Sequence, residues 1–185
     1  DVQTHLKDLY DVAKSGKADP GPLLVASKGL IDSIKSGKTT VDASSQLSFI
    51  ETVHLIEPVH KMSQLSERLV GGMEELKPKL EEAEMCDVVR IQVSNINNAS
   101  DALITSVNNK VADASKEISE ELSKGITDVL QKSEETFSEE NCVNGRKGPT
   151  PDADSAAPRL VSTSFTCSIL YSLFPLLLAV MTIPL

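Results

Sequence analysis

Apolar residues recur along most of this chain at intervals of three and four positions, which is the spacing of one face of an α-helix. The pattern predicts five helices, at about residues 2–14, 22–36, 44–77, 84–110 and 113–137. No segment has the strict alternation of a β-strand. Short turns between successive helices make them antiparallel neighbours. We therefore predict an all-α fold, an antiparallel bundle of four to five helices.

Glycine and proline residues mark the predicted helix ends. The run 19–22, Asp-Pro-Gly-Pro, separates the first two helices, Gly37 closes the second, and Lys77-Pro78 turns the chain after the third. The third helix is the longest and contains Pro58, which predicts a kink or a break at that point.

The cysteines fit this arrangement. Cys86 opens the fourth helix and Cys142 follows the fifth, so antiparallel packing would bring both sulfurs to one end of the bundle. We expect a Cys86–Cys142 disulfide, with two unpaired thiols as the alternative. The third cysteine, Cys167, lies in the C-terminal tail.

That tail, residues 165–185, contains no charged residue and follows the small residues Ser155, Ala156 and Ala157. Small residues, a short spacer and an apolar tail are the signal for a glycosylphosphatidylinositol (GPI) anchor, for which Ser155 is the candidate attachment residue. A tail-anchoring transmembrane helix and a buried core helix are the alternatives. Because the chain starts at Asp1, we also expect that a secretory signal peptide has been removed.

These features divide the chain into three parts. We expect a helical-bundle domain at 1–140, a flexible stalk with the attachment site at 141–157 that is rich in Gly, Pro, Asp, Ser and Ala, and a cleavable GPI propeptide at 158–185.

Charge and chemistry narrow the class of function. The net charge of −9 argues against nucleic-acid binding. His54 and His60 are six residues apart and lack the spacing of a metal pair, and no nucleophile or phosphate-binding motif is present. We therefore expect neither an enzyme, nor a cofactor, nor a metal site. The sequon at Asn98 predicts N-glycosylation if its side chain faces outward.

Three stretches of the helical region carry a family resemblance: LLVASKGLIDSIKSGKTTVDASSQLS, IEPVHKMSQLSERLVGGMEELKPKL and NASDALITSVNNKVADASKEISEELSKGITDVL. Over roughly residues 2–137 the chain resembles the fungal hydrophobic surface-binding protein A and cell wall mannoprotein family. The resemblance implies a secreted, often mannosylated helical bundle that adsorbs to hydrophobic surfaces or encloses a fatty acid or other lipid. It also implies a location at the cell wall and outer face of the plasma membrane, with wall glycans and, through the GPI anchor, the membrane as partners.

A lipid of this kind would lie along the bundle axis, against the apolar stripes of the third to fifth helices. The expected lining is Leu55, Val59, Met62, Leu69, Met73, Ile96, Leu103, Val107, Ile118 and Ile126. Methionine suits such a lining because its side chain adapts to irregular shapes. A carboxylate would have to stay near a bundle end, because an unpaired charge in the core is too costly. The alternative is a closed core, and hence a purely structural cell wall spacer without a ligand.

Overall fold

The computed structural model describes residues 1–146. In this range the chain forms five α-helices and one short 3-10 helix. They are α1 (Val2–Lys14), α2 (Pro20–Ala43), α3 (Phe49–Glu82), α4 (Cys86–Lys110), the 3-10 helix Asp113–Ser115, and α5 (Lys116–Thr136). The predicted all-α class is confirmed. No helix in the described range combines the length and the apolar character needed to cross a membrane.

Side-chain caps fix the start of two helices. The Asp19 carboxylate accepts a hydrogen bond from the Gly21 N–H at 3.0 Å as α2 begins. At the start of α3, the Ser48 hydroxyl accepts from the Glu51 N–H at 3.3 Å and the Glu51 carboxylate accepts from the Ser48 N–H at 2.8 Å. This reciprocal capping box satisfies amides that have no partner within the helix. It starts α3 at Phe49 rather than at residue 44.

The predicted end of α2 at Gly37 and the predicted turn at Pro78 are wrong, and α3 does not break at Pro58, where a kink was the other expectation. Helix α2 runs through Gly37 to Ala43, and α3 runs without a break through both Pro58 and Pro78. Most helical stability in a protein comes from tertiary packing, and α3 packs against both α1 and α5. That packing outweighs the backbone hydrogen bond that each proline removes. The turn after α3 instead uses Glu84, whose φ of 57° lies in the left-handed region.

The helices form a closed ring. Helix α1 contacts α2 and α3, α2 contacts α4, α4 contacts α5, and α5 returns to α3. Successive helices run antiparallel, as predicted, but they are not all neighbours. In the described residues the backbones of α2 and α3 do not come close together, and the ring instead places α2 beside α4. Those two helices are parallel, since Ser27 bonds to Gln92 at one end and Asp42 to Ser106 at the other.

The segment after α5 folds back onto the start of α4. Cys142 forms the predicted disulfide with Cys86, with Cα atoms 5.5 Å apart. The Asn144 side-chain oxygen accepts from the Cys86 N–H at 2.8 Å, and Arg146 pairs with Glu81 at 3.1 Å. Residues 141–146, which the sequence assigned to the stalk, are therefore part of the packed domain. The candidate attachment residue Ser155 and the apolar tail lie outside the described residues.

Candidate functional site

The centre of the helix ring contains two apolar cavities, one on each side of a shared waist. The disulfide-end cavity, which includes Phe137 in its lining, has a volume of about 90 Å³. The far-end cavity, which includes Thr52 and Val107, has a volume of about 160 Å³. The waist consists of the residues that line both: Leu6, Leu30, Ser66, Ile96 and Leu130. We call the two cavities together the tunnel. All five α-helices contribute side chains to it.

The tunnel follows the bundle axis. On α4 its lining runs from Val89 to Val107, which at the helical rise corresponds to about 27 Å. This length suits an extended chain rather than a compact molecule.

Most of the side chains predicted from the apolar stripes do line the tunnel. The disulfide-end cavity is lined by Leu69, Met73 and Ile96 from the predicted set. The far-end cavity is lined by Leu55, Val59, Met62, Ile96, Leu103, Val107 and Ile126.

Ile118 is the exception, because it lines neither cavity. Its neighbour Ser119 lines the far-end cavity instead and is buried. Successive side chains of a helix point about 100° apart, so Ser119 and Ile118 cannot both face the axis. A small serine at this position leaves space where an isoleucine would fill it.

The prediction missed the contribution of α1 and α2. Both helices supply tunnel walls through Leu6, Leu9, Leu23, Leu30 and Ile34. Their apolar spacing was visible in the sequence, but it equally fits ordinary packing between helices. Only the ring order shows that these stripes face the same axis as those of α3, α4 and α5.

A few polar side chains interrupt the apolar wall near the disulfide end. Ser27, only 1% exposed, donates a hydrogen bond to Gln92 Oε1 across the α2–α4 contact at 3.1 Å. Asn97 donates from Nδ2 to the Leu130 carbonyl of α5 at 3.1 Å. None of the described residues that line the tunnel carries a charge.

Beside the far-end cavity, the first turns of α3 carry an exposed apolar patch, which consists of Phe49, Ile50 and Val53. Thr52 and Leu55, on the same turns, line the cavity itself. The apolar tunnel wall and the apolar outer surface are therefore adjacent at this end.

The buried cluster of Glu81, Cys86 and Cys142 is the one group of described residues whose side chains are close enough to share a metal ion. Both sulfurs belong to the disulfide, however, so they offer no thiolate ligand. The Glu81 carboxylate instead accepts from the Val143 N–H at 3.2 Å and pairs with Arg146. The cluster therefore has a structural role: it attaches the segment after α5 to α3 and α4.

The sequon lies on α4. Asn98 is exposed, which meets the geometric condition for a glycan acceptor, and its glycosylation stays a prediction. Ser100, the third sequon residue, is half-buried and lines the far-end cavity.

Two solved structures of similar fold contain fatty acids. Ligand binding domain 1 of the Penicillium marneffei MP1 protein, complexed with arachidonic acids, aligns with a TM-score of 0.70 at 22% identity, over 74% of this chain and 91% of that one. AFMP4P in complex with palmitic acid aligns with a TM-score of 0.68 at 16% identity, over 74% of this chain and 93% of that one. At these identities the likeness establishes the fold.

Sequence comparison gives the family. Two curated relatives are named cell wall mannoprotein 1: the Aspergillus flavus protein is 28% identical over 142 residues, and the Aspergillus fumigatus protein is 28% identical over 121 residues. These matches cover 74% and 65% of this chain, and 52% and 43% of the relatives, so the chain spans about half of their length. Residues 1–109 match the family described as hydrophobic surface binding protein A. The chain therefore belongs to the hydrophobic surface binding protein A family.

Proposed function

We propose that this domain binds one long-chain fatty acid or a related acyl lipid in the tunnel. The observation that carries the proposal is the pair of cavities: their lining extends over about 27 Å of α4 and consists of mainly apolar side chains from all five helices, with no charged residue among the described ones. The fatty acids held by two proteins of similar fold support it.

Burial of an acyl chain in the tunnel supplies enough free energy for micromolar affinity. Each buried methylene contributes about 0.8 kcal/mol, so ten methylenes contribute about 8 kcal/mol before ordering costs. Micromolar binding corresponds to about −8 kcal/mol, so a longer acyl chain reaches that range even after part of the gain is lost to ordering. The far-end cavity, at about 160 Å³, is similar in volume to an engineered apolar cavity of roughly 150 Å³ that stays dry and binds benzene.

Adsorption to hydrophobic surfaces is a second candidate function, which the exposed patch of Phe49, Ile50 and Val53 favours. A contiguous apolar patch on a folded domain is typical of an interaction surface. The two functions are compatible, because the patch adjoins the far-end cavity, where an acyl chain could pass between a lipid surface and the tunnel.

We further propose that the protein works at the cell surface as a GPI-anchored cell wall mannoprotein, in contact with wall glycans. The relatives named cell wall mannoprotein 1 support the wall location. The tail at 165–185 and the small residues from Ser155 to Ala157 support the anchor. In this arrangement the stalk holds the lipid-binding domain outside the plasma membrane.

The direct test of lipid binding is native mass spectrometry of the secreted domain, followed by delipidation and calorimetric titration with hexadecanoic acid. We expect co-purified acyl lipid and a single saturable site. If the delipidated domain binds no acyl compound, the structural spacer becomes the better interpretation.

A further inference from the structure

A surface cleft lies between the end of α1 and the C-terminal half of α3, outside the tunnel. It is lined by α1 residues between Tyr10 and Lys14 and by α3 residues between Arg68 and Lys79, and its volume is about 460 Å³. Pockets for small molecules typically have volumes of about 300–1,000 Å³. The cleft shares none of its described lining residues with either tunnel cavity. It is therefore a second candidate site.

The two helices run parallel along this cleft. A Cβ atom at Gly72 would lie 4.0 Å from the Cβ of Ala13, so these residues lie opposite each other. Further along both helices, the Lys79 Nζ donates to the Gly16 carbonyl at 2.8 Å. A Cβ atom at Gly71 would meet no atom within 4 Å, so the cleft is open above the backbone of α3. A ligand can therefore approach that backbone closely.

One end of the cleft carries two cations. Arg68 is one turn before Gly72 on α3, and Tyr10 is one turn before Ala13 on α1, so both lie at the same end. The Lys14 Nζ lies 5.7 Å from the centre of the Tyr10 ring, which is within the range of a cation–π interaction. The side chains of Lys14 and Arg68 therefore share this end, which we call the cationic end.

The cations of the cleft have no carboxylate partner. In the described part of the chain, Lys14, Arg68 and Lys79 form no ion pair, whereas many other Lys and Arg side chains do. Glu75 is the one carboxylate in the described lining. The cleft is thus positive in a chain whose net charge is −9. A cleft lined by an excess of one charge attracts ligands of the opposite charge, so we expect an anionic ligand.

We propose that the cleft binds the phosphate ester of a polyol, the chemistry shared by sugar phosphates and inositol phospholipid headgroups. At the cationic end, Arg68 binds two phosphate oxygens through its planar guanidinium, and Lys14 supplies the second positive charge. A phosphate monoester carries a charge of about −1.5 to −2 at pH 7, which these two cations balance. Further along the cleft, Glu75 and Lys79 form hydrogen bonds with the hydroxyl groups of the polyol.

The mixed charge of the lining favours an ester over a bare anion. The Glu75 carboxylate only accepts hydrogen bonds, so it binds hydroxyl groups and repels a second anionic group. The Lys79 ammonium uses one of its three donors on the Gly16 carbonyl, which leaves two for a ligand. A bare phosphate ion would use only the cationic end.

Calorimetric titration of the secreted protein with glucose 6-phosphate, glucose and inorganic phosphate tests this. Glucose 6-phosphate should bind at one site, on the order of tenfold more tightly than either of the others, because it alone uses both ends of the cleft. Tyrosine fluorescence gives the location, since the chain has no Trp and its other tyrosine, Tyr171, lies in the apolar tail. The fluorescence should change on binding, and Tyr10→Phe should remove that change.

Vesicles of phosphatidylcholine with and without phosphatidylinositol distinguish the two sources of the ligand. Binding that requires phosphatidylinositol and that glucose 6-phosphate displaces assigns the cleft to a lipid headgroup. Binding of glucose 6-phosphate without binding to either vesicle assigns it to a soluble or glycan-borne sugar phosphate.

The variant Arg68→Gln should weaken binding of glucose 6-phosphate on the order of tenfold or more and leave binding of hexadecanoic acid unchanged. Lys124→Gln, which removes the same charge from an exposed position on α5, is the matched control and should bind like the native protein. Both side chains are exposed, so both variants should keep the native unfolding temperature. An equal loss in the two variants, or equal affinity for glucose 6-phosphate and inorganic phosphate, overturns this inference. Neither result affects the proposed acyl binding, which the hexadecanoic acid titration tests separately.

Discussion

Cys86 and Cys142 are 56 positions apart in the chain, yet their disulfide holds the Cα atoms at 5.5 Å. The bond joins the first residue of α4 to the segment that follows α5. Phe137, at the end of α5, is buried and lines the disulfide-end cavity. Arg90 of α4 holds that turn by donating to the Phe137 carbonyl at 2.9 Å and to the Cys142 carbonyl at 3.1 Å. The disulfide therefore holds the segment that follows Phe137, a residue of the cavity wall, against the start of α4.

Replacing both cysteines by serine should lower the free energy of unfolding by roughly 4 kcal/mol, because the crosslink restricts a loop of this length in the unfolded chain. Urea denaturation of the double variant and of the reduced native protein measures the loss. Both should be destabilised to a similar extent. Peptide mapping that finds free thiols at Cys86 and Cys142 in the secreted protein would refute the assignment.

Local sequence signals predicted all five helices and the bounds of α1, but they placed the ends of α2 and α3 poorly. The stripes that contain Leu69, Met73 and Leu103 face the tunnel as expected, because periodicity reports directly which face is buried. Gly37 and Pro78 are strong local signals for a helix end, but tertiary packing overrode them. Such packing depends on contacts between distant segments, which local patterns do not contain.

The polar wall of the tunnel could be predicted only in part. Ser27 lies on the same helical stripe as Leu23 and Leu30, so its burial follows from the periodicity. Asn97 is of a residue type that usually lies at a surface, and its burial follows from the contact of α4 with α5. The pairing of Cys86 with Cys142 was predictable because it needed only the direction of two helices.

The contact of α2 with α4 should weaken in acid. Hydrogen bonds from Lys38 and from Ser106 of α4 lower the pKa of the Asp42 carboxyl. A lowered pKa in the folded state contributes stability above the unfolded pKa, and this contribution is lost as the pH falls through the folded value. Asp42→Asn should therefore be less stable than the native protein near neutral pH and nearly equal to it at about pH 2.

The measurement is the urea midpoint of each protein at both pH values. Asp101→Asn, which replaces an exposed carboxylate on α4, is the control and should lie close to the native protein at each pH. If the urea midpoint of Asp42→Asn lies below that of the native protein by the same amount at both pH values, loss of the carboxylate charge is not the cause of the destabilisation.

The proposed anchor predicts how the protein is held at the cell surface. Phosphatidylinositol-specific phospholipase should release the full chain from cells, and Ser155→Trp should prevent this because the anchor attachment site requires small residues. Ser162→Trp, a similar change in the spacer before the apolar tail, is the matched control and should leave release intact. A mature native protein that still carries Leu185 would rule out cleavage of the tail.

The waist gives the sharpest test of a continuous tunnel. Ile96 of α4 lines both cavities, so Ile96→Trp should separate them. A long acyl chain would then lose the methylenes beyond the waist. At about 0.8 kcal/mol each, two or three lost methylenes weaken binding on the order of tenfold or more. Octanoic acid, which needs only one cavity, should bind almost as it does to the native domain.

Ile91→Trp on the same helix is the matched control. Ile91 is 58% exposed and lies outside the described tunnel lining, so this variant should bind hexadecanoic acid normally. Overpacking at the waist costs about 1–3 kcal/mol of stability, so thermal unfolding must first confirm that Ile96→Trp is folded. If the folded variant binds hexadecanoic acid as tightly as the native domain, the acyl chain does not pass the waist and the cavities act separately.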